Sequence, residues 1–158
     1  VAIQNFIKKE FGVAIGERTA EEIKLTIGSA SEYEGELRAE VRGRHISSGL
    51  PEVVEVSPSE IREAIEEPVS TMVDSVTSCL SKAPPEMAQD IIVQGISLVG
   101  GGSLLKGFDK RLSEETDVPV HIVPNALEAV VLGAGRCIES FESVRAMFME
   151  DPNARQRR

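Results

Sequence analysis

The sequence predicts an α/β chain in two parts: a small α+β lobe over residues 1–82, then part of a parallel-sheet α/β lobe over residues 83–148, with a polar tail at 149–158. Three observations carry that expectation. Apolar spacing changes at Pro84-Pro85, from helices with a strand pair to helices and strands in alternation. Such alternation produces parallel sheets, because each strand returns through a helix. Finally, Gly100-Gly101-Gly102 stands between the first strand of the second part and a helical segment.

The elements follow in order. Ile3, Phe6, Ile7 and Phe11 recur at helical spacing with Lys8, Lys9 and Glu10 outward, and Gly12 stops that helix. A second helix runs from about Gly16 to Ile27, turning Ile23 and Ile27 to one face, and Gly28 closes it. Leu37, Ala39 and Val41 alternate with Arg38, Glu40 and Arg42, the period of a half-buried strand. Gly43 to Gly49 is read as the connection, and Val53, Val54 and Val56 as the return strand. Ser57-Pro58-Ser59-Glu60 then announces a long helix: a capping serine, proline at the first position and a capping-box glutamate. Its stripe is Ile61, Ile65, Val69, Met72, Val73, Val76 and Leu80, with Pro68 inside it as a bend. In the second part a short helix from Pro85 to Val93 precedes a strand at Ile96–Val99. A helix from Ser103 to Glu115 with Leu104, Leu105, Phe108 and Leu112 inward, a strand at Val118–Val123 and a helix from Ala126 to Met147 complete it.

Composition narrows the function classes. The 158 residues are 41% hydrophobic but only 4% aromatic with no Trp, so the core is expected to be aliphatic. A net charge of −9 argues against nucleic acid as a partner. Arg155, Arg157 and Arg158 read as a frayed terminus, or as a contact for anionic lipid or an acidic partner. Cys79 and Cys137 lie on apolar stripes and are expected to be buried thiols in a reducing cytosol. His45 and His121 lack ligand-spaced neighbours, so no metal site is expected within the chain. No apolar run is long enough for a membrane span. The chain opens on Val1 inside a helical pattern, and two strands cannot make a stable sheet alone, so a fragment with missing upstream strands is expected.

The chemistry concentrates in two places. Three glycines at the carboxyl end of a strand let backbone approach a flat or anionic ligand, at the end where open α/β sheets bind. A turn that merely joins two elements would look the same, and the local pattern leaves both readings open. Glu21 and Lys24 are three residues apart and share a helix face. A surface ion pair worth a few tenths of a kcal/mol is the plain alternative there.

The segment Ile15-Gly16-Glu17-Arg18-Thr19-Ala20-Glu21-Glu22-Ile23-Lys24 resembles the MreB family of bacterial actin-like cell-shape proteins. So do Leu98 through Leu105, then Gly107-Phe108-Asp109 and Glu114-Glu115-Thr116. Pro84-Pro85-Glu86 and Gly133-Ala134-Gly135 fit the same family, and the likeness runs from about Ala2 to Phe148. The resemblance implies an actin-like fold, in the superfamily of actins, heat-shock chaperones and sugar kinases, with residues 1–82 similar to subdomain IIB and 83–124 to part of subdomain IIA. The last helix would pack towards subdomain IA. It implies a nucleotide site in which Gly100, Gly101, Gly102 and Ser103 form the adenine side and Glu21, Glu22, Ile23 and Lys24 supply the helix facing ribose and base.

For function, the resemblance implies a protein that binds ATP or ADP with Mg²⁺ and polymerises into membrane-associated filaments directing wall synthesis and rod shape. Its implied partners are other copies of itself, cell-shape scaffold proteins and the inner membrane surface, in the cytoplasm and without nucleic acid. The chain has no Asp-x-Gly after a strand and no Walker-type lysine loop. The resemblance implies that the intact protein is a slow ATPase, and without those motifs this chain is expected to carry the adenosine side without hydrolysing. Two alternatives stand beside it: another actin-superfamily ATPase, of chaperone or sugar-kinase type, and an interaction domain that binds no nucleotide.

Overall fold

In the computed structural model, which describes residues 1–32, 37–143 and 145, helix α1 (Ala2–Phe11) turns Ile3 and Ile7 into the core and ends at Gly12. Directly after it comes strand β1 (Val13–Ala14), too short to register in the sequence pattern. Helix α2 (Glu17–Ile27) buries Ala20, Ile23 and Ile27. Strands β2 (Ala39–His45) and β3 (Pro51–Val56) pair antiparallel with Val41 opposite Val54, and β1 adds to the other edge of β2 through Val13–His45. The resulting sheet has the order β1-β2-β3.

Helix α3 (Pro58–Ser81) covers that core. Its start is the expected capping box: the Ser57 hydroxyl accepts from the Glu60 backbone N–H while the Glu60 carboxylate accepts from the Ser57 N–H. Ile61, Ile65, Val69 and Val73 are buried where α3 packs on α1 and α2, in one core with Val41 and Val56 of the sheet. Each such aliphatic side chain contributes roughly 1.5–3 kcal/mol when fully buried.

The second stretch has helix α4 (Pro85–Gln94), strand β4 (Ile96–Leu98), helix α5 (Phe108–Thr116), strand β5 (Val120–Ile122) and helix α6 (Ala129–Glu139). β4 and β5 are parallel, with Ile96 opposite Val120, as the alternation predicts. Phe108 and Leu112 of α5 join the same hydrophobic core as α1 to α3. An Arg111–Glu66 ion pair of 2.9 Å, with Glu115 at 3.1 Å on the same guanidinium, ties α5 to α3. These carboxylates hold the Arg111 proton more firmly, the Glu66 hydrogen bond contributing most.

Several expectations are corrected. Leu37 is exposed, and β2 continues through Gly43 to His45, because the inner face of β2 is set by its pairing with β1 as well as β3. The predicted helix from Ser103 to Glu115 is broken: a short 3₁₀ turn occupies Gly101–Leu104 and α5 begins only at Phe108. The reason is a tertiary bond: the Lys106 carbonyl accepts from the Ala30 N–H and so leaves the helical ladder. The last helix starts at Ala129, not Ala126, because the Ala126 carbonyl is taken by the Gly100 N–H at 2.7 Å and Asn125 is left-handed. Nor does it run unbroken to Met147: α6 ends at Glu139, where Ser140 departs from the helical backbone. Met147 and the tail with Arg155, Arg157 and Arg158 lie outside the described residues. Cys79 is exposed and Cys137 half-exposed rather than buried. Past Val73 α3 buries no further residue, and α6 buries none at all.

Candidate functional site

Helix periodicity decides which α2 side chains face outward together. At about 100° per residue, Glu21, Lys24 and Leu25 share one side, whereas Ile23 points into the core. Ile23 is indeed buried. Glu22 faces elsewhere, accepting from Arg18 Nε at 3.1 Å. Glu21 and Lys24 are joined by a 2.7 Å ion pair with both ends partly exposed, so it holds geometry more than it adds stability.

The glycine turn is built from below. Gly100, at φ 82, adopts a backbone conformation that side chains rarely tolerate. Its N–H donates to the Ala126 carbonyl, and its own carbonyl accepts from Ser103 Oγ at 2.7 Å. Ser103 is buried, so it shapes the turn from inside instead of presenting a hydroxyl to a ligand. Gly101 and Gly102 are the exposed members. A Cβ on Gly102 would meet nothing within 4 Å, and one on Gly101 would meet only the tip of Leu127 at 3.2 Å. Strained backbone therefore belongs to Gly100, and open approach to Gly101 and Gly102.

These two features share one cavity of about 600 Å³. Glu21 and Lys24 line it from α2, Gly101 and Gly102 from the turn. Leu25, Met72, Leu104, Leu105 and Leu127 give it apolar walls, and Lys106 adds a second ammonium. The volume and the mixture of apolar wall with a few polar groups suit a small organic ligand. A second hollow of about 500 Å³ shares Glu21 and Lys24 and is lined on its far side by Glu17, Ile65 and Pro68.

Of the eight residues singled out in the sequence, the structure brings Glu21, Lys24, Gly101 and Gly102 to the cavity. Gly100 and Ser103 support the turn, while Glu22 and Ile23 do not reach it. Sequence reasoning missed Leu25, Met72, Leu127 and Lys106. The usable signal was Leu25, an apolar residue off the Ile23/Ile27 face and 62% exposed, a cost that a ligand-facing wall would explain; Met72, 41% exposed, was read as part of the α3 stripe. Among the described residues no cluster of three or more His, Cys, Asp or Glu could hold a metal, and no helix is long and apolar enough to cross a membrane.

Comparison with known proteins agrees across sequence and structure. The family described as MreB/Mbl protein matches residues 1–146. The cell shape-determining protein MreB of Escherichia coli (strain K12) is 40% identical over 141 residues, covering 89% of this chain and 41% of that protein. The cell shape-determining protein Mbl of Bacillus subtilis (strain 168) is 37% identical over 142 residues, 90% of this chain and 43% of that one. The chain thus spans little more than two fifths of these curated relatives. The crystal structure of MreB 5 of Spiroplasma citri bound to AMPPNP superposes with a TM-score of 0.86 at 33% identity, covering 94% of this chain and 44% of that one. A MamK double helical filament, at 20% identity and a TM-score of 0.63 over 82% of this chain and 42% of that one, shares the fold.

Proposed function

This chain belongs to the MreB/Mbl family of actin-like cell-shape proteins, and from that premise we propose that it carries the adenosine side of a nucleotide site in a filament-forming ATPase. The family match removes the chaperone and sugar-kinase alternatives. The observation that carries the nucleotide reading is the shared cavity: Glu21 and Lys24 meet Gly101 and Gly102 across it although they are remote in sequence. In this reading the Glu21 carboxylate accepts from the ribose hydroxyls and the Lys24 stem lies along a purine face. Gly101 and Gly102 let the base approach backbone, and Leu25, Met72 and the leucines exclude water from its faces. The bound AMPPNP of the Spiroplasma protein supports a nucleotide of this kind.

Phosphate and Mg²⁺ binding are assigned to the part of the relatives that this chain does not span, since no phosphate loop stands in the sequence. Residues 1–82 act as the IIB-like unit, 83–148 as the IIA-like segment whose last helix faces subdomain IA, and 149–158 as a tail. Filament neighbours are further copies of the protein, a reading supported by the filament of the MamK relative. Scaffold proteins and the cytoplasmic face of the inner membrane complete the set. The net charge of −9 speaks against nucleic acid.

The test is titration of ATP and ADP onto the full-length protein. Loss of one hydrogen bond to ribose costs about 0.5–1.5 kcal/mol, or somewhat more with a charged acceptor. Glu21→Ala should therefore raise the nucleotide dissociation constant several-fold, and Glu22→Ala should leave it alone. Equal affinities for wild type and Glu21→Ala would remove the assignment.

A further inference from the structure

The α2 face and the glycine turn reach the cavity from separate stretches of chain, and something must hold them at one spacing. Ser29, two residues past the end of α2, is 1% exposed. Its Oγ lies 2.6 Å from the Ser31 carbonyl and 3.1 Å from the Lys106 carbonyl. The Ala30 N–H donates to that same Lys106 carbonyl at 2.8 Å, making a parallel bridge between Ser29 and Lys106. Lys106 Nζ in turn donates to the Thr26 carbonyl in the last turn of α2 at 2.7 Å. Gly107 follows at φ 71, and a Cβ there would collide with the Ser31 hydroxyl.

We propose that this Ser29–Lys106 strut is a positioning element of the nucleotide site, setting the gap between the α2 face and the glycine turn and so coupling occupancy of the cavity to the angle between the two units. The inference rests on the nucleotide reading and deepens it by naming what regulates that site. Ser29, Ala30, Ser31 and Gly107 do not line the cavity, so substitutions there act through the walls and not on the ligand. Lys24 and Leu25 precede the strut on one side, and Leu104 and Leu105 on the other. The Ser29 hydroxyl, on a buried residue and with directional partners, resists displacement, because breaking those bonds strands a polar atom away from water. A ligand touching both walls then selects one strut geometry among those the chain samples. Another tie between the two stretches, the Arg111–Glu66 ion pair, involves residues that do not line the cavity and serves as the comparison.

The experiment measures adenine-nucleotide affinity, with ATP and ADP as probes, on full-length wild type and four variants. Gly107→Ala should weaken binding at least fivefold, and adding Ser31→Gly should recover at least twofold by removing the colliding hydroxyl. Ser29→Ala, the milder change should Gly107→Ala not fold, should weaken binding about threefold. Glu66→Ala should lower the unfolding midpoint with affinity within twofold of wild type. Amide exchange at Ala30 reads the strut itself: nucleotide should slow it in wild type and not in Ser29→Ala. Wild-type affinity in Ser29→Ala, or an equal affinity loss in Glu66→Ala, overturns the strut and leaves the nucleotide site standing. A wild type that binds no nucleotide overturns both.

Discussion

Two regions of this chain carry similar amounts of aliphatic sequence and spend it differently. From α1 to α3, Ile3, Ile7, Ile23, Ile27, Val41, Val56, Ile61, Ile65, Val69 and Val73 all close on one another. In α4 and α6, Met87, Ile92, Val93, Val130, Val131, Leu132 and Ile138 stay exposed, and neither helix buries a residue. The contrast teaches that an apolar stripe specifies a face, while burial depends on a covering layer. The first region contains its own cover, a sheet and three helices. In the second, α5 joins the core of the first through Phe108 and Leu112, but α4 and α6 lean on little, and we assign their cover to the portion of the relatives that this chain does not span.

The most forceful way to break that comparison is to remove the same kind of bulk from each region. Ile61 is fully buried, so Ile61→Ala should cost about 2–5 kcal/mol through lost transfer energy and a cavity. Val130→Ala, on a 74% exposed side chain, should stay within about 0.5 kcal/mol. Urea denaturation of this chain checks both. Equal losses would mean that α6 is covered after all.

A second change sharpens the assignment of the cover. Val131→Asp should be nearly neutral in this chain, where the side chain is 67% exposed. In the full-length protein it should cost on the order of 1–3 kcal/mol or more, because a carboxylate would enter an apolar contact. Thermal unfolding of the two forms gives the difference. A neutral result in both would show that the α6 face meets water in the intact protein too.

The same contrast explains what was legible in the sequence. The α3 cap, its stripe through Val73 and the parallel pairing of β4 with β5 follow from local rules, and the structure has them. Leu37, Cys79 and Cys137 were read as inward from periodicity alone, which cannot say where a cover ends. The break between Leu104 and Phe108 depends on the Lys106 carbonyl bonding Ala30, a tertiary bond with no local signature. At the cavity, Glu21 and Lys24 were readable because helix spacing is rigid and the family resemblance pointed there. Lys106 and Met72 were not, since their place depends on how two remote stretches meet.

The smallest expected effect concerns how the helices of the two regions begin. The residue before α6, Glu128, already has right-handed helical backbone and gives no side-chain cap. α3 starts at Ser57, where Glu60 Oε2 lies 2.7 Å from both the Ser57 backbone nitrogen and its hydroxyl. The Ser57 hydroxyl bond, followed by the backbone bond and the charge of Arg38, outweighs partial burial and holds the Glu60 carboxyl below its ordinary range. A carboxyl lowered in the folded state stabilises fully above its unfolded value, roughly pH 4.3, and that contribution is lost as pH falls through the lower folded value. Ser57→Ala should cost about 1 kcal/mol near neutral pH. Glu60→Gln should remove the acid-dependent part, so that wild type and variant converge as the pH falls from the unfolded value through the lowered folded one. Many other carboxylates titrate in the same window, and the informative quantity is the wild-type minus Glu60→Gln difference in unfolding midpoint across it. A difference that stays constant with pH would show that Glu60 adds nothing through its charge, leaving the start of α3 no better anchored electrostatically than that of α6.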